Sequence, residues 1–104
     1  MCLGHKGKLE NTYRKFAQET IRSYVMAREG QRLYDAAHHE AQNDDGAGGE
    51  NAPWQYRMDA AEKMQQAAAA MTSDVEARAI AAGVDVTDML YLVDQHFYGP
   101  ALAA

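Results

Sequence analysis

LENTYRKFAQETIRSYVMAREGQRLYDAAHHEAQ, residues 9–42, is the stretch whose reading decides the fold. At roughly 100° per residue, Leu9, Tyr13, Phe16, Thr20, Tyr24, Ala27, Gln31, Tyr34, His38 and Ala41 fall on one side, in steps of three and four. That period belongs to a helix and not to a strand. Four of these positions carry aromatic rings, each able to bury a large surface against whatever packs on it. Gly30 interrupts the run at a cost of about 1 kcal/mol relative to alanine, so a kink or break is expected there.

Outward from this seam, alanine is abundant and β-branched residues are scarce, which favours helix throughout. The expected fold is all-α: a small helical bundle built on one long N-terminal helix and two to three shorter ones. Residues 1–8 read as a flexible lead-in, 9–98 as one helical domain and 99–104 as a C-terminal tail. A length of 104 residues suits a single modest core.

The break at 43–52, NDDGAGGENA, holds three glycines and no apolar residue larger than alanine, and reads as a loop. Pro53 then opens a second helix, with Asn51 as a nearby cap. Its expected core stripe is Trp54, Met58, Ala61, Met64, Ala68 and Met71. Ser73 and Glu76 have capping-box spacing, which predicts a re-capped, bent chain and a short helix ending at Gly83. Asp85 or Thr87 can cap a last helix carrying Met89, Leu90, Leu92, Val93 and Phe97, with Gly99-Pro100 as its stop.

Charge is divided along the chain. Residues 1–34 carry seven Lys or Arg against three Glu, and residues 35–104 carry three against twelve Asp or Glu, for a net charge of -5. Opposite the aromatic stripe, the first helix presents Arg14, Arg22, Arg28 and Arg32 around Ile21 and Val25. A purely solvated face has no need of that apolar pair.

Motifs for chemistry are thin. Cys2 and His5 supply two of the four ligands that a zinc site needs, with no matching pair elsewhere. His38 and His39 are adjacent and point about 100° apart on a helix, so they do not converge as an i,i+4 pair does. The glycines of 43–52 lack the order of a phosphate-binding loop. These readings imply a protein with no catalytic site, no metal and no cofactor. The single cysteine, Cys2, forms no intrachain disulfide, and the apolar cluster Met89–Val93 is too short to cross a bilayer. Cytoplasm is the expected compartment.

Ala79-Ile80-Ala81-Ala82-Gly83-Val84, followed by Met89 and Leu92, resembles the helix-turn-helix of bacterial repressors over about 20 residues. The likeness implies a helix placed in the DNA major groove, where Arg, Lys, Asn or Gln meet base edges. This segment offers Asp85, Asp88 and Asp94 instead, and no Lys or Arg follows Arg78. Phosphate repels such a surface.

The function expected is stoichiometric binding to a protein or protein assembly, as an adaptor or inhibitor. Small accessory proteins of phages or mobile elements share this general make-up. The partner-binding residues expected are Arg14, Ile21, Arg22, Val25, Arg28 and Arg32 on one side and Asp85, Asp88 and Asp94 on the other. A homodimer that covers the aromatic seam is a further expectation. The alternative is a nucleic-acid-binding or regulatory protein that uses the basic first helix or the helix-turn-helix-like segment 75–97.

Overall fold

The computed structural model describes residues 2–44, 46 and 52–103, and side chains for 9–44, 46 and 52–99. Three helices follow one another: α1 (Cys2–Gln42), α2 (Pro53–Ala81) and α3 (Val86–Ala103). No strand occurs among the described residues, so the all-α expectation holds.

The helices exceed their expected bounds in three places. Residues 2–8, assigned above to a lead-in, are the first turns of α1. Ser73 does not re-cap the chain: α2 runs past it without a break, because Val75 and Ala79 beyond it are buried and hold the helix to its packing face. α3 likewise continues through Gly99-Pro100. A proline ring clashes with the preceding residue's β-carbon in helical conformation, and glycine has none, which eases the passage. Gly30 causes no interruption of α1 either. Asn51 and most of the 43–52 loop lie outside the described residues, as do the side chains of Cys2, His5 and Leu102.

The buried line of α1 keeps Phe16, Thr20, Ala27, Tyr34 and Ala41 of the expected stripe and departs from it elsewhere. Phe16, Thr20, Ser23, Gly30 and Ala37 are buried, with Ala27, Tyr34 and Ala41 half-buried in the same series. These positions alternate steps of four and three, the 3.5-residue period of helices that pack side by side. From Thr20 onward the line passes through Ser23, Gly30 and Ala37 where Tyr24, Gln31 and His38 were expected. Small residues let helix backbones come close, whereas the rings of Tyr24 and His38 fall beside the seam. Tyr34 stacks on His38 there, with centroids 6.2 Å apart. The same period runs along α2 through Ala61, Ala68, Val75 and Ala79, all buried. It leaves Met64 half-buried and Met71 exposed, against the expected stripe.

The chain divides into two compact units: Met1–Ser23 with Met71–Ala104, and Tyr24–Ala70. In the first, α3 packs with the early part of α1 and the late part of α2. Its core holds Phe16, Ala17, Val75, Ala79, Val84, Met89 and Val93. Thr20 and Ser23 are polar and fully buried, yet satisfied locally. Thr20 Oγ1 donates to the Phe16 carbonyl at 2.9 Å and Ser23 Oγ to the Thr20 carbonyl at 2.8 Å. Ser23 Oγ and Thr72 Oγ1 share a further hydrogen bond of 2.8 Å, which ties α1 to α2. Because each buried polar group is paired, the seam tolerates hydroxyls, at Thr20 as expected and at Ser23 in place of the expected Tyr24.

In the second unit the later part of α1 lies against the early part of α2. A β-carbon on Gly30 would stand 2.9 Å from Gln65 Cγ and 3.3 Å from the Ala61 carbonyl oxygen. The glycine is where the two backbones approach closely, which explains a residue that local helix propensity disfavours. Gln65 donates to Gln31 Oε1 at 2.9 Å, Trp54 Nε1 donates to Asp44 at 2.8 Å, and Arg57 pairs with Glu40.

Candidate interaction surface

The turn from α2 into α3 builds the candidate surface. Gly83 has φ 84°, a left-handed conformation that favours glycine. Its N–H donates to the Ile80 carbonyl at 3.0 Å, and the Val84 N–H reaches back to the Ala79 carbonyl at 2.9 Å. That pair of bonds is a Schellman cap, and its usual apolar contact is present in buried Ala79 and Val84. Asp85 then caps α3: its Oδ1 accepts from the Thr87 N–H at 2.9 Å and the Asp88 N–H at 3.3 Å. The Asp85 N–H itself donates to Tyr13 Oη at 2.9 Å, fixing the turn to α1. The two helices do meet at a glycine turn, as the helix-turn-helix likeness implies.

Entered this way, α3 turns Met89 and Val93 inward, both 0% exposed. Its opposite side follows geometrically. Tyr91 and Tyr98 are two turns apart and remain 62% and 53% exposed, and Asp88 and Asp94 are exposed beside them. Gln95 Nε2 donates to Tyr91 Oη at 2.9 Å. The sequence of α3 contains no Lys or Arg, so this aromatic ridge is acidic. Sequence reasoning passed over both tyrosines because it followed the apolar stripe. The available signal was their seven-residue spacing off that stripe.

The basic residues expected to form one face are distributed over different surroundings. Arg14 and Ile21 line a shallow groove with Ala17, Gln18, Leu92, Gln95 and His96, so α3 half-covers Ile21. Arg14 also pairs with Glu10 at 3.4 Å. Arg22 is exposed and lines another groove beside Met71 and Arg78. These three belong to the first unit. Val25, Arg28 and Arg32 belong to the second, with Val25 43% exposed and Arg32 paired to Glu29 at 3.2 Å. Of the expected acidic set, Asp85 is occupied as a cap. Asp88 and Asp94 stay exposed on the ridge.

Within the ridge's own unit, Arg78 ties α2 to α1. Its guanidinium donates to Glu19 Oε1 at 2.6 Å and to Asp74 Oδ2 at 2.9 Å. The hydrogen bond from Arg78 holds the Glu19 carboxyl below the usual carboxylate range, against the opposing effect of partial burial. The same bonds raise the Arg78 pKa.

Among the described residues, no group of three or more His, Cys, Asp or Glu is placed to hold a metal ion, and no helix is long and apolar enough to cross a membrane. The chain matches no known family, curated protein or solved structure.

Proposed function

We propose that this chain acts by occupying the surface of a protein partner, as an adaptor or inhibitor, with α3's outer side as the contact. The observation that carries this reading is the pair of tyrosines, Tyr91 and Tyr98, held outward on a helix whose other side is anchored by fully buried Met89 and Val93. Tyrosine supplies a large, rigid contact area with a polar end, and aromatic residues are enriched at the centres of interfaces. A rigidly held ridge loses less conformational freedom on binding than a mobile segment does. Asp88 and Asp94 select the partner's charge: a surface bearing Lys or Arg is attracted, and nucleic-acid phosphate is repelled.

Affinity capture from native extract, with a Tyr91→Ala/Tyr98→Ala variant as the matched control, tests the reading. The expected result is a specific protein retained by the parent chain, lost with the double variant, and weakened by raised salt. Retention of the same protein by both chains overturns the assignment to α3. Salt-sensitive retention of DNA or RNA that is insensitive to the tyrosines overturns the protein-binding reading itself.

A further inference from the structure

On α3 a carboxylate sits between two exposed rings. Asp94 lies three residues after Tyr91 and four before Tyr98, the two spacings that make helical side chains neighbours. All three are exposed, on the side of α3 opposite fully buried Met89 and Val93. At roughly 100° per residue, Asp88 and Asp94 fall to either side of the line through Tyr91 and Tyr98. Gln95 Nε2 donates to Tyr91 Oη at 2.9 Å and so tethers that ring to its own helix.

Both carboxylates keep their charge unmatched. Neither Asp88 nor Asp94 makes an ion pair among the described residues, whereas Glu10, Glu19, Glu29, Glu40 and Asp74 each have an arginine of this chain beside them. α3 itself holds no Lys or Arg. A partner's cation therefore meets two features at once, an ionised carboxylate and the π-faces next to it. Guanidinium suits both, because its planar fork donates two parallel hydrogen bonds to a carboxylate while its flat face lies on a ring. An ammonium is a compact, strongly hydrated point charge with neither the fork nor the flat face.

Resting on the reading of α3 as the protein-binding surface, we propose that the Tyr91–Asp94–Tyr98 ridge recognises arginine. The partner segment it fits carries an arginine that forks onto Asp94 and stacks on the flanking rings, with Asp88 drawing in further positive charge. A lysine-bearing segment is attracted by the same carboxylates but held less tightly.

Titration of the full chain into a fluorescent alanine-based peptide bearing arginines, beside its twin with lysine at the same positions, tests this. The arginine peptide is expected to bind about fivefold more tightly, the size of one cation–π contact at an exposed site. Asp94→Asn, which keeps the shape and removes the charge, and Tyr91→Ala/Tyr98→Ala are each expected to reduce that preference. Circular dichroism is expected to stay unchanged, because all three residues are exposed. Tyr98→Phe is expected to retain the preference, since the ring face and not the hydroxyl makes the stack. Equal binding of the two peptides, no binding of either, or an arginine preference indifferent to Asp94→Asn overturns the proposal. The broader reading fails separately: a protein captured from extract through the tyrosines, yet not displaced by the arginine peptide, upholds binding through α3 and overturns arginine recognition.

Discussion

The first unit buries Phe16, Val75, Val84, Met89 and Val93, whereas among the described residues the second fully buries nothing larger than alanine. Each large apolar side chain taken fully from water contributes about 1.5–3 kcal/mol, so the two units differ in what holds them. In the first, a third helix supplies the covering layer and the core is filled by volume. In the second, the helices are held by close backbone approach at Gly30 and by half-buried side chains such as Leu33, Trp54 and Met58, while the exposed Gln31–Gln65, Trp54–Asp44 and Glu40–Arg57 contacts add little. Two helices alone expose both flanks of their seam. The contrast teaches that one chain can be held in one unit by a filled core and in the other by close backbone approach.

Substitutions can break or sharpen this contrast. Met89→Ala empties a fully buried position in the first unit and is expected to cost about 2–5 kcal/mol, measured by urea denaturation. A much smaller loss would mean that the first unit is not held by volume. Gly30→Leu acts on the second unit by forcing its helices apart. It should destabilise by about 1–3 kcal/mol even though leucine has the better helix propensity. If the variant is as stable as the parent, the close approach is not what holds that unit. Thermal melts of the two variants side by side measure the difference directly.

The smallest effect concerns pH. Glu19 has a folded pKa below its unfolded one, because Arg78 donates to its ionised form. Its contribution to stability is thus present above the ordinary glutamate range and is lost as pH falls through the lower, folded value. Arg78 is substantially exposed, so solvent screening keeps the effect small. Stability measured between neutral pH and acid should fall less in Glu19→Gln than in the parent chain. Identical acid dependence in both would show that the Glu19–Arg78 contact does not contribute.

Much of the architecture was written in local pattern. The helical period of 9–42, the proline opening at Pro53, the glycine stop at Gly83 and the Asp85 cap all act within a few residues and appear as expected. The misses share a cause. Ser73 looks like a cap and Gly99-Pro100 like a stop, because both signals are local. α2 nevertheless runs through the first, held by Val75 and Ala79 packed beyond it, and α3 runs through the second without a break. The candidate surface was legible in part: Asp88 and Asp94 were anticipated, but Tyr91 and Tyr98 were not.

Composition and periodicity by themselves determined that this chain is helical, where most helix ends fall and that its charge is divided. Tertiary structure decided which side of each helix is covered. A period near 3.5 residues allows several neighbouring stripes, and the choice among them depends on how closely two backbones approach. At Gly30 the absence of a side chain permits that approach, and at Ser23 and Ala37 small residues take the seam positions beside Tyr24 and His38, an outcome that depends on both helices at once and is present in neither alone.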